Sequence, residues 1–185
     1  MLKSSALAFT VLLAGAAFGQ RTAMAKRELR TVYDSVSFNY NHENIDGAMA
    51  WLDPDFKWTL LDGKVLNRDA SRAAMKDLFD TTQSGHWHID MLNTMVAGPL
   101  ATVIAQYRFD GLLIDPSKKT YKATLVSTDR QTWFRGPNGW RQISDALLTQ
   151  KTYAGGLKTD ANVNSDQSGS GPGVVTQPPL KTGGS

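Results

Sequence analysis

The sequence predicts an α+β domain in which helices come first and a strongly curved, long-stranded antiparallel sheet follows. Three observations carry this. Leu29, Val32, Tyr33, Val36 and Tyr40 recur at helical spacing and form one apolar stripe. Four long stretches of alternating apolar and polar residues fill the second half. Turn signals, namely Gly98-Pro99, Asp115-Pro116 and Gly136-Pro137-Asn138-Gly139, separate those stretches.

The first helix should end where Asn44 to Asp46 breaks the stripe, with Asp46 capping a short second helix, Gly47 to Leu52. Asp53-Pro54-Asp55 reads as a turn. Phe56, Trp58 and Leu60 then alternate with Lys57 and Thr59, as in a half-buried strand. Asp62-Gly63 predicts a two-residue hairpin that returns through Lys64 to Leu66. Asp69 is the expected cap of a third helix carrying Ala70, Ala74, Met75, Leu78 and Phe79. The first long strand turns Trp87, Ile89 and Met91 inward, and the second Ala101, Val103, Ala105, Tyr107 and Phe109. The third covers Thr120 to Arg135 and the fourth Trp140 to Thr152, with no internal repeat.

The two ends read differently. Lys3, the apolar run Ala6 to Phe18 and the small-residue site Ala17-Phe18-Gly19 form a secretory leader over residues 1–19, cleaved ahead of Gln20. Ala23-Met24-Ala25 offers a second cleavage site. The run falls short of the ~20 apolar residues a membrane span needs, so the expected location is periplasmic or secreted. Residues 20–154 make the folded domain. Residues 155–185 are rich in Gly, Ser and Pro, and are expected to stay disordered because so little apolar surface cannot offset backbone entropy.

Composition excludes several function classes. Lys+Arg 20 against Asp+Glu 17 leaves +3, and loss of Lys3 with the leader leaves 19 basic residues against 17 acidic ones. That balance is too mild for a nucleic-acid binder, and Lys118-Lys119, Arg130 and Arg135 are scattered rather than striped. The absence of cysteine removes disulfides, thiolate metal sites and cysteine nucleophiles. No phosphate-cradling loop, nucleophile elbow or dinucleotide fingerprint is present, and no cofactor is expected.

Local patterns then add up in order. They are Asn44-Ile45-Asp46-Gly47-Ala48, the run Trp51 to Phe56, Asp62-Gly63, the Asn67 to Phe79 helix, Val96 to Val103 at a strand hairpin, and Thr132 to Arg141 at the closing one. Together, from Lys26 to Thr152, they resemble the nuclear transport factor 2-like superfamily, and within it the SnoaL-like and ketosteroid-isomerase-like small proteins. The resemblance implies a cone: a curved antiparallel or mixed sheet wrapped around the N-terminal helices, a cystatin-like roll, with a pocket at its wide end. It also implies homodimers through the outer face of the sheet.

Enzymes of that superfamily imply a poised carboxylate, tyrosine or histidine inside the cone. The position of the isomerase-type base falls near Leu60, where the one carboxylate in reach, Asp62, is needed by the hairpin. The last-strand histidine position falls on Ala146. Both are apolar, so no catalytic residue is assigned. Tyr33 and Tyr40 lie on the inward helix stripe, either as core or as hydrogen-bond donors to a ligand carbonyl. Trp58, Ala101, Ala105, Tyr107 and Trp133 frame space for an apolar ligand, unless Met75, Met91 or Met95 fills it. His86, His88 and Asp90 share a strand face and His-x-His can bind a transition metal. Alternation turns them outward, His42 is the one further histidine, and no metal site is assigned.

The first functional expectation is therefore an exported, non-catalytic protein that binds a small, largely apolar molecule in the cone, or dimerises. The alternative is a SnoaL- or isomerase-like enzyme, an isomerase or dehydratase working by proton transfer with a pocket tyrosine. A scaffold that pairs through its outer sheet face is the third.

Overall fold

The computed structural model describes residues 5–154 and 174–175. Helix α1 (Ser5–Asn41) is followed by α2 (Ile45–Met49), and strands β1 (Leu52–Thr59) and β2 (Val65–Asn67) precede α3 (Arg68–Asp80). Then come four long strands, β3 (Thr82–Ala97), β4 (Leu100–Ile114), β5 (Thr120–Gly136) and β6 (Gly139–Ala154). The expected leader covers the start of α1, with residues 1–4 outside the described ones. The expected tail also lies outside them, apart from β7 (Val174–Val175), which pairs with Thr152 and Tyr153 of β6. Among the described residues no helix is long and apolar enough to cross a membrane.

The main path of the sheet runs β2-β1-β6-β5-β4-β3. Neighbours are antiparallel except β1 and β6, which are parallel, so the sheet is mixed. Helix α1 buries Leu29, Val32, Tyr33 and Val36, together with Ala25 one turn earlier, against Trp87, Val103, Phe109 and Trp133 of the concave face. Burying a side chain of this size contributes about 1.5–3 kcal/mol over leaving it exposed, and that holds α1 across the sheet. A smaller cluster, Met49, Leu52 and Phe56 with Ile45, Trp58 and Met75, joins α2 and α3 to β1.

Four local expectations need correction. The cap of α2 is Asn44, whose side chain accepts from the Gly47 amide at 3.1 Å, rather than Asp46. The cap of α3 is Asn67, accepting from the Ala70 amide at 2.9 Å, rather than Asp69. Asparagine caps as well as aspartate, and each acid sits instead in the first turn, where the helix dipole favours it. The β1–β2 hairpin is a three-residue loop, closed by Leu60 N–H to Lys64 C=O at 2.9 Å, with Gly63 left-handed at φ +82°. Asp53-Pro54-Asp55 is not a turn before the strand but a bulge within it. Leu52 faces Gln142 and Lys57 faces Ser144, so five steps along β1 match two along β6.

Bulges also curve the sheet around α1, on β3 between Gln83 and His86 and between Met91 and Asn93. At the first of these Gly85 lies against Phe109, and a Cβ there would sit 2.3 Å from the phenyl ring and 2.8 Å from the Asp110 carbonyl. The Asp110 carbonyl is backbone within the β3–β4 ladder and cannot swing aside as a side chain can. Gly85→Ala is expected to lower stability by about 1–3 kcal/mol, as overpacking does. Urea denaturation checks this, and an unchanged midpoint would show that the bulge relaxes freely.

Candidate functional site

The concave face carries more polar groups than a plain core. On β5, Trp133, Gln131 and Asp129 face Ala101, Val103 and Ala105 of β4, and Ser127 faces Tyr107. All of these but Ser127 are buried, Gln131 completely. On β6 the pairing with β5 shifts by one residue after Trp133–Gln142, so that Gln131 faces Asp145. On the far side of β6, Asp145 is the register partner of Trp58 on β1. Paired residues project from the same face, so Trp58, Asp145 and Gln131 form a row across three strands, with Asp129 diagonal to it.

Gln131 is the hub. The Tyr33 hydroxyl donates to its Oε1, and its Nε2 donates to the Tyr107 hydroxyl at 2.9 Å and to Asp145 Oδ2 at 2.8 Å. Gln142 Nε2 donates to the same Asp145 oxygen at 3.0 Å. Trp133 Nε1 donates to the Tyr33 hydroxyl at 3.2 Å, with the rings 5.6 Å apart. Asp129 is served only by the Ser127 hydroxyl, at 3.3 Å. Asp145 keeps some surface exposed as a residue, yet its Oδ1 is sealed from solvent. That oxygen, Asp129 Oδ1 and Trp58 Nε1 are buried with no hydrogen-bond partner. A buried polar atom left unpaired costs about 1–3 kcal/mol, so three on one face set it apart from a plain core.

Burial pushes Asp129 up to about 8, helped by the negative charge of Asp145, and burial pushes Asp145 up to about 7 against hydrogen bonds from Gln131 and Gln142. No cationic side chain is among the groups acting on either. Burial thus favours the protonated form of both acids, and the charge of Asp145 adds to this at Asp129. Burial also drives the phenols of Tyr33, Tyr40 and Tyr107 far up, so all three stay neutral donors.

A groove of about 220 Å³ opens beside this face, where the end of α1 meets the start of β3. Tyr40, Trp87 and Phe109 line it, with Glu43 and Ser84 at its rim, both in the left-handed region at φ 51° and 45°.

No family model matches the chain, and no curated protein matches it. Solved structures do. A proposed scytalone dehydratase from Novosphingobium aromaticivorans superposes with TM-score 0.62 at 12% identity, covering 80% of this chain and 99% of its own. A nuclear transport factor 2-like protein with a cystatin-like fold, from the same organism, gives TM-score 0.55 at 19% identity over 74% and 90%. Another such protein, of unknown function, from Shewanella oneidensis, gives 0.53 at 16% over 66% and 97%. The chain has the nuclear transport factor 2-like fold. At these identities the likeness shows the fold alone.

Within this nuclear transport factor 2-like cone the expected pocket residues divide. Tyr33 and Tyr107 join through Gln131, Trp133 donates to the Tyr33 hydroxyl, and Tyr40 touches Tyr107 at 5.7 Å between rings. Trp58 lies on β1 beside Asp145. Ala101 and Ala105 are fully covered floor. Of the methionines, Met75 packs near Trp58, Met91 lies against the main core and Met95 is exposed. His86, His88 and Asp90 face outward, with His88 paired to Asp90 at 3.0 Å.

Asp129 and Asp145 are the residues that alternation alone did not single out. Counting back by twos from Trp133 reaches Gln131 and then Asp129, so Asp129 was within reach of the pattern. Asp145 was not. Strict alternation from Trp140 turns Ala146 inward, but the one-residue shift at Thr132–Trp133 sends Ala146 outward, opposite the exposed Arg130, and brings Asp145 in.

Proposed function

We propose that the protein is a small-molecule acid–base catalyst of the isomerase or dehydratase kind, with Asp129 and Asp145 as its proton-handling pair. One observation carries the reading: two carboxyls without a cation share the concave face, each with an unpartnered buried oxygen, and Asp145 reaches Tyr33 and Tyr107 through Gln131. Asp145 accepts from two amides and is the better placed to be ionised, whereas Asp129 is the more strongly held protonated. An ionised Asp145 takes a proton from the carbon next to a substrate carbonyl. The protonated Asp129 returns one, to the γ carbon of the dienolate when a β,γ-enone is isomerised, or to a departing β-hydroxyl in a dehydration. The Tyr107 hydroxyl accepts from Gln131 and donates to no protein group, so its hydrogen is available to the carbonyl oxygen on which charge develops. The neighbour described as a proposed scytalone dehydratase supports this choice of chemistry.

A panel of small β-hydroxyketones, followed by enone absorbance and by deuterium uptake next to the carbonyl, tests the proposal. Asp145→Asn is expected to cut turnover at least ~100-fold, the usual weight of a positioned base. Equal turnover in the variant, or none across the panel, would count against it.

A second reading, ligand binding without turnover, is supported by the groove beside Tyr40 and Trp87. We also propose export, on the leader pattern of residues 1–19. Pairing of two copies through the outer sheet face is supported by Met95, Leu100 and Phe134, all exposed on that face.

A further inference from the structure

Trp58 is the unexplained member of the row. Its indole is half-buried against the Met49, Leu52 and Phe56 cluster, and its N–H is shut away from solvent with no acceptor. The fold goes out of its way to put it there. Without the Asp53-Pro54-Asp55 bulge, even spacing from the Leu52–Gln142 pair would set Trp58 opposite Leu148, which is exposed, instead of Asp145. Asp145 in turn faces inward only because of the shift on β6. Two irregularities on two strands thus pair the residue that carries an unused donor with one that carries an unused acceptor.

The chemistry of those atoms selects the occupant. An anionic ligand would meet two carboxyls with no cation to offset them. An ammonium would satisfy the carboxyls but leave the N–H of Trp58 and the O–H of Tyr107 without acceptors. A neutral hydroxyl oxygen does both jobs, accepting from an N–H and donating to a carboxylate. We propose that the Trp58 indole N–H is a ligand-contacting donor which, with Asp145 Oδ1, holds a neutral hydroxyl group of the substrate. This rests on the acid-pair reading above and narrows it: the hydroxyl-bearing end lies between β1 and β6, and acids and amines are poor ligands.

Phenol, anisole and benzene probe this without knowledge of the natural substrate, because the first donates and accepts, the second only accepts and the third does neither. In the mature-length chain labelled with 15N-tryptophan, five indole N–H resonances are expected, and Trp58→Phe assigns one of them. Phenol should move the Trp58 indole proton downfield in a saturable way, anisole should do so with about fivefold weaker binding, and benzene should not. Trp58→Phe should weaken phenol about fivefold. A Trp58 resonance that ignores phenol up to its solubility limit, or an unchanged phenol affinity in Trp58→Phe, overturns the proposal. So does a resonance held by a bound water that phenol does not displace. The wild-type titration decides the matter even if the variant folds poorly. The carboxyl resonances of Asp129 and Asp145 in the same sample separate the two ideas. If they titrate near neutrality while the indole stays silent, only the Trp58 assignment falls. If they titrate in the ordinary aspartate range, the acid pair itself falls.

Discussion

Raising the pH from about 5 to about 8 should lower the stability of this protein, and Asp129→Asn should remove a large part of that decline. In the unfolded chain both aspartates ionise near pH ~3.9, whereas in the cone burial holds them to about 8 and about 7. Below pH ~4 both states are protonated and the pair costs nothing. As pH rises from there the unfolded state releases protons that the folded state retains, so stability falls until the folded pair ionises in turn, near 7 to 8. Each unit of retained proton affinity is worth about 1.4 kcal/mol, so a decline of even one or two units is readable by denaturation. Asp129→Asn deletes the acid held furthest up and leaves only the burial of Asp145 to titrate. At pH ~8 it should therefore be more stable than the wild type, an unusual outcome for a buried substitution. Urea midpoints at the two pH values check it. A wild type that is equally stable at both would mean that the acids are hydrated.

Gln131→Met costs about 2–4 kcal/mol, for a reason apart from packing. Methionine fills similar volume, but the Tyr33 hydroxyl loses its acceptor, and Tyr107 and Asp145 lose a donor. Gln131 also holds the Asp145 carboxyl down, so its loss should raise that group further. The variant should consequently be more destabilised at pH ~8 than at pH ~5. Gln131→Glu should exaggerate the trend by adding a third acid. Equal losses at both pH values for Gln131→Met would show that the glutamine serves shape rather than charge.

Much of the fold was legible in the residues and little of the site was. The α1 stripe from Leu29 to Tyr40, the inward alternation of Ala101 to Phe109 and the Gly136 to Gly139 turn all obey local rules, and the structure follows them. Caps slipped by two residues because Asn44 and Asn67 compete with Asp46 and Asp69 for the same role. The site depends on register, which no local rule sets. One extra residue on β6 exchanges Ala146 for Asp145, and three on β1 bring Trp58 beside it. Leu60 and Ala146 carry no titratable group, whereas Asp145, one position before Ala146, does.

The most direct test of the acid pair is the pH titration of the aspartate side-chain carboxyl carbons by 13C NMR, with Asp129→Asn and Asp145→Asn to assign the two signals. Two transitions between pH ~6 and ~9, with that of Asp129 moving down once Asp145 is replaced, are what a buried pair sharing a proton requires. Two independent transitions near pH ~4, unmoved by loss of the partner, would show two solvated surface-like acids and would leave the cone without its proton-handling groups.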